Sequence, residues 1–219
     1  MSESTPAAPT LPQSAPSRRR VASSLAWAVP TVVAAAAAPA EAVSSPVSPQ
    51  ISRSFLVTRA TTAAVPNASV SACGSGSTRL SVTTDNVNYY YRITNVRAGS
   101  TVTNVTASVL VQRSVVDTMA WNNNPLTWTN HTTTSWSDPV REVSGTTPVL
   151  YTNNGIEYYR YYSTLKTAVP APASGIITLP IIGWYSNCST ALAGVSVNGR
   201  GSAVVNGKTL VNLGAYRTV

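Results

Sequence analysis

What the sequence lacks narrows the possibilities first. Only 10% of the 219 residues are charged, and acids are the scarcer sign, with five beyond residue 42: Asp85, Asp117, Asp138, Glu142 and Glu157. Calcium needs clustered carboxylates, and these five are scattered. There is one histidine, His131, so a Ser–His–acid triad would have to use it with Asp117 or Asp138. No Gly-x-Ser-x-Gly stands in the chain to supply a strained nucleophile turn. One His and two Cys cannot make a four-ligand zinc site. The sequence therefore assigns no catalytic, cofactor-binding or metal-binding residue and implies no cofactor. Lysine is almost absent: an internal Lys–Asn crosslink would have to start from Lys166 or Lys208. The remaining positive charge runs singly from Arg53 to Arg217 as a scattered, solvated surface, and no nucleic-acid module is recognisable, so nucleic acid is not an expected partner. Beyond residue 43 no apolar run is long enough to cross a bilayer. The nearest, Gly175–Trp184, is short and broken by Pro180.

Glycine is missing before Gly74, whereas eight of the fifteen prolines lie at or before Pro49. The opening tract 1–17 is rich in Pro, Ser and Ala, a composition of disordered chain. Arg18-Arg19-Arg20 follow, then a mildly apolar stretch over 21–38, then Ala40-Glu41-Ala42. A basic segment, an apolar segment and an A-x-A end are the three parts of a secretory signal, which predicts cleavage after Ala42 and no membrane anchor once it is removed. Ser17-Arg18-Arg19 resembles the twin-arginine export signal, although Arg20-Val21-Ala22 stands where Phe-Leu-Lys often follows. Leu25-Ala26-Trp27-Ala28-Val29-Pro30 and the alanines after it resemble the signals of exported proteins from high-GC Gram-positive bacteria. The resemblance covers about a fifth of the chain, implies an extracellular destination, and says nothing of the part that follows. Removing 1–42 takes away three Arg and two Glu, leaving twelve basic against five acidic residues, a net charge of +7.

With 43–50 read as a linker, residues 51–219 are the length of one domain. Beyond residue 42 the chain holds 25 Thr and 24 Val, β-branched residues suited to a pleated surface. Ser54–Arg59 and Ser77–Thr83 read as strands. Val87–Ile93 alternates with Val87, Tyr89, Tyr91 and Ile93 on one face, and Thr103–Val111 with Val105, Ala107, Val109 and Val111 on one face. Ile156–Tyr162 follows the turn Asn154-Gly155. Pro180 predicts an edge or a bulge. Asn198-Gly199 and Asn206-Gly207 lie between β-branched runs and predict a three-stranded meander over 193–213. No segment shows a helical period with caps. These signals predict an all-β antiparallel sandwich, immunoglobulin-like in architecture without that family's Cys-Trp-Cys signature.

Cys73 and Cys188 are the whole cysteine complement, and in an exported chain they predict one disulfide closing a loop of about 115 residues. Trp184, four residues before Cys188, is an expected packing partner. Aromatics supply the remaining signal. Trp121, Trp128 and Trp136 punctuate a loop-like stretch, and Tyr158, Tyr159, Tyr161 and Tyr162 crowd one strand, so that two tyrosines face outward if one face packs inward. Exposed rings among Asn and Thr are anchors for sugars or protein surfaces. Poor in titratable groups and rich in such anchors, the chain is expected to be a non-catalytic secreted or cell-surface domain. Its expected partner is an anionic envelope polymer, a glycan or a surface protein. The alternatives are an extracellular polysaccharide hydrolase, which needs two of the five acids across a cleft, and a self-assembling structural protein.

Overall fold

The computed structural model describes residues 48–219 apart from 64, 66–68, 171–172 and 174. The expected signal segment, its twin arginines and most of the linker lie outside the described residues. Strands β1 (Gln50–Arg53), β2 (Leu56–Ala60), β3 (Arg79–Thr83), β4 (Tyr91–Val96) and β5 (Val102–Gln112) lead into a helix, α1 (Arg113–Trp121). Then come β6 (Trp128–Asn130), β7 (Val140–Arg141), β8 (Val143–Ser144), β9 (Thr147–Pro148), β10 (Leu150–Asn153), β11 (Ile156–Thr164), β12 (Gly175–Thr178) and β13 (Gly183–Ser186). A 3-10 turn at Thr190–Leu192 precedes β14 (Ser196–Val205), β15 (Lys208–Asn212) and β16 (Arg217–Thr218).

One layer is a seven-stranded sheet ordered β10-β11-β5-β14-β15, to which β7 adds beside β11 and β16 beside β14. Two smaller sheets, β1-β4-β12 and β2-β3-β13-β6, form the facing layer, and β8-β9 is a separate short hairpin. The fold is the all-β antiparallel sandwich that the period-2 segments imply. Val105, Ala107, Val109 and Val111 of β5 are buried in the core, as their alternation requires, with Val197, Ala203 and Val205 of β14 beside them. Leu80, Val82, Tyr91, Ile93 and Trp184 meet them from the smaller sheets. Fully burying one such side chain contributes about 1.5–3 kcal/mol, so the continuity of this one cluster holds the two layers together. Pro180 lies just after the bulged edge strand β12, where the chain leaves one small sheet to start β13 in the other.

Three expectations are corrected. The strand expected from Val87 starts only at Tyr91, because Asp85 captures the segment. Its Oδ1 accepts from the backbone N–H groups of Val87, Asn88 and Tyr89 at 2.8, 2.9 and 2.8 Å. Those bonds, that of Tyr89 foremost, hold the Asp85 carboxyl below its ordinary range. The segment after β5, where the sequence shows no helical period with caps, is helical, although the helix has no side-chain N-cap bond and continues a valine-rich strand pattern. It is held by the buried Val116 and Met119 and by Arg113–Asp117 paired four residues apart at 3.0 Å, and Asn123 in the left-handed region closes it. The C-terminal meander is a hairpin plus a short strand. Asn206-Gly207 makes the β14–β15 turn with φ of 49° and 77°, whereas Asn198-Gly199 lies inside the unbroken β14. Gly199 is there for space, since a Cβ on it would stand 3.3 Å from the Phe55 ring. Among the described residues no helix is long and apolar enough to cross a membrane.

Candidate functional site

The fold disperses the seven candidate aromatics. Trp136 is in the core, stacked on Tyr91 at 6.2 Å, with its Nε1 donating to the Pro180 carbonyl. Tyr158 is equally buried, on the other face of the large sheet, where its hydroxyl meets Ser196 Oγ at 2.9 Å and its ring meets Tyr216. Tyr159 is 7% exposed and Tyr161 5% exposed, and Tyr162 is half-buried beneath Arg160. The outward tyrosine face expected on this strand is thus covered, although it is the outer face of the sheet: Tyr216 packs on Tyr158 and the Arg160 guanidinium lies over Tyr162. Trp121 is 89% exposed at the end of α1, with no ring contact to the other six.

Trp128 and Tyr161 are brought together. Their rings lie 5.8 Å apart, and Trp128 also meets Trp184 edge-on at 6.3 Å. They line an open groove of about 420 Å³. Val116 and Ala120 of α1 form one wall, Pro125 and Leu126 lead into β6, and Pro139 precedes β7, which pairs beside Tyr161. Proline fixes φ and has no N–H to satisfy, so two walls are rigid and apolar. Exposed Asp117 and Arg141 stand at the rim, one acceptor and one donor. Arg141 also lies over the Tyr159 ring at 5.2 Å, with Arg113 on the same ring at 6.0 Å. Burial first, and then the Asp117 carboxylate, push the Tyr159 hydroxyl up; burial pushes that of Tyr161 to about 12. Both stay protonated at neutral pH. The groove offers a rigid aromatic floor and two polar handles, which is the anatomy of a small binding site. Sequence reasoning found Trp128 and Tyr161. It missed the α1 wall, because the helix was not legible.

A second hollow, about 540 Å³ and shallower, surrounds Arg113. Its Nε donates to Asp117 at 3.0 Å and its Nη1 to Glu157 at 2.7 Å. Two carboxylates do meet here, but on one guanidinium and in the open. A glycosidase acid needs an apolar, uncompensated setting to keep its proton, and this is the reverse. Glu142 is likewise occupied, by Tyr151 Oη at 2.7 Å and Arg160 at 3.2 Å. His131 stacks on Tyr185 at 5.3 Å. Among the described residues no three acids, His or Cys gather as a metal would require.

Cys73 and Cys188 are bonded, with Cα atoms 5.7 Å apart. Trp184 is a core residue, and the disulfide's polar neighbour is Arg79, a buried guanidinium. Its Nε donates to Cys73 Sγ at 3.3 Å and its Nη2 to Cys188 Sγ and the Ser71 carbonyl, both at 2.9 Å. Arg53, Arg79, Arg92, Arg113, Arg141, Arg160 and Arg200 each lie over an aromatic ring, so part of the scattered charge is used in packing, while Arg59, Arg97 and Arg217 are exposed without such a contact. No known protein family, curated protein or solved structure matches the chain.

Proposed function

We propose that the N-terminal segment exports the chain and that residues 43–219 act outside the cell, in the medium or at the surface, as a non-catalytic module that binds sugar units of an envelope polymer. The groove beside Trp128 and Tyr161 carries this reading. A pyranose ring presents an apolar face to an aromatic ring and hydroxyls at its edge. The half-buried Trp128 ring, packed on the buried Tyr161, and the Asp117 and Arg141 rim match those two requirements in one place. The disulfide supports an oxidising compartment.

Because the rim holds one charge of each sign, attraction by net charge is secondary, and binding should survive salt. The test is retention on purified cell envelopes across a salt series. Retention is expected to persist above about 0.15 M, where screening reaches within about 8 Å. Ala120→Arg should abolish it: Ala120 is exposed on the groove wall, and a long side chain there fills the groove without touching the core. Absence of retention in the unaltered protein, or equal retention by Ala120→Arg, rejects the groove as the binding site.

A further inference from the structure

The arginine at the end of β1 is out of place by ordinary electrostatic rules. The Arg53 guanidinium is part-buried, lies 5.0 Å over the Phe55 ring, and runs so close across Gly214 that any side chain at 214 would occupy its space. It donates no hydrogen bond to a described residue, and its Nε is buried without a partner. It lines a pocket of about 280 Å³ with Ser54, Gly199, Asn212, Gly214 and a second guanidinium, Arg217. No carboxylate lines that pocket, and none of the ion pairs among the described residues uses either arginine. Arg217 spends one Nη on the Val57 carbonyl and remains exposed. Burial, with Arg200 and Arg217 adding to it, pushes the Arg53 guanidinium down to about 10. A buried cation is ordinarily paired, because desolvating it alone is costly. Here one part-buried cation without a hydrogen-bond partner meets a second, exposed one at a pocket lined by no carboxylate.

We propose that Arg53, Arg217 and Ser54 form a pocket for an oxyanion of the phosphate or sulfate class. Such a group presents several acceptor oxygens to two guanidinium forks and a hydroxyl, the pairing for which arginine is best shaped. The pocket shares no residue with the Trp128 groove, so this inference and the sugar-binding reading stand or fall separately.

A ligand that binds only the folded state raises its melting temperature as it saturates the site. The experiment compares inorganic phosphate with sodium chloride at equal ionic strength. Phosphate is expected to raise Tm saturably by about 2–5 °C. Arg217→Gln, which alters an exposed side chain, should weaken the dependence on phosphate at least tenfold. Arg53→Gln should abolish it if the variant folds. Ser54→Asp places a carboxylate where the anion would sit; it should raise Tm in chloride and remove the response to phosphate. A poly(glycerol phosphate) chain at equal phosphate concentration separates two sources. Tighter binding per phosphate than the free ion, lost in Arg217→Gln, identifies an anion carried on a polymer, and equal binding identifies a free one; either upholds the pocket. No saturable effect of phosphate or polymer beyond chloride overturns it, as does an effect unchanged in both Arg217→Gln and Ser54→Asp.

Discussion

At the scale of single residues, one tyrosine pins the two layers. Tyr91 reaches from β4 across the core, and its hydroxyl lies 2.8 Å from the carbonyl oxygens of both Thr106 and Ser202, on the adjacent strands β5 and β14. It packs edge-on with Phe55 at 5.3 Å and stacks on Trp136. The ring can reach β14 only because position 201 is glycine: a Cβ there would lie 2.9 Å from two ring carbons and the hydroxyl oxygen of Tyr91. The Tyr91 side chain cannot move aside, since its far end is hydrogen-bonded and its face is stacked. Gly201→Ala is therefore expected to destabilise the fold by about 1–3 kcal/mol, the cost of overpacking a filled core. Urea unfolding of the variant measures it, and an unchanged midpoint would show that the ring gives way. Nothing local marks this glycine. In sequence Arg200-Gly201 reads as turn material, because the partner that requires it lies 110 residues away.

Among the elements, legibility follows how local the cause is. Thr103–Val111 was readable because β5 is long and has one fully apolar face, so its period shows without knowing its neighbours. The Asn154-Gly155 and Asn206-Gly207 turns were readable because left-handed φ values are demanded by the turn itself. Asn198-Gly199 carries the same two letters for a different reason, room for Phe55, and only the fold distinguishes them. Helix α1 was hidden because it lacks caps and most of its stabilisers are tertiary: two buried apolar residues and the Arg113–Glu157 ion pair, with only the exposed Arg113–Asp117 pair local to the helix. Losing α1 also hid the groove. Trp121, Trp128 and Trp136 looked like one loop, whereas they end a helix, open a strand and enter the core. The two Asn-Gly pairs yield opposite expectations. At Gly207, with φ of 77° and open space around it, Asn should be tolerated better than Ala, which costs about 1–2 kcal/mol in the left-handed region. At Gly199, where Phe55 and Arg53 close in, Ala should be tolerated better than Asn. Thermal midpoints of the four variants test the reversal, and the same order at both sites would refute it.

For the molecule as a whole, the disulfide supplies what the sheets do not. The Cys73–Cys188 bond joins the segment before β3 to the segment after β13, strands that pair directly in the four-stranded sheet. Folded, it adds little constraint, because β3 and β13 already hold those ends near each other. Unfolded, it closes a loop over a sequence separation of 115 residues, and the chain-entropy cost it removes from folding is about 4–5 kcal/mol. Reduction without mutation should lower stability by about that amount, and should raise the urea m-value because the reduced unfolded chain is more expanded. Arg79 makes the type of replacement matter. Two of the acceptors around its buried guanidinium are the cystine sulfurs, and the third is the Ser71 carbonyl. Replacing both cysteines with serine keeps polar atoms within reach of Arg79. Replacing both with alanine leaves the carbonyl alone, and an under-satisfied buried charge costs about 1–3 kcal/mol beyond the lost crosslink. The expected order of stability is oxidised, then the serine pair, then the alanine pair. Adding Arg79→Met to each pair should narrow the gap between them, since the cation that sets them apart is gone. Urea titration of the five proteins decides it. Equal stability of the serine and alanine pairs would mean that Arg79 draws nothing from the disulfide and is held by Ser71 and the Tyr185 ring.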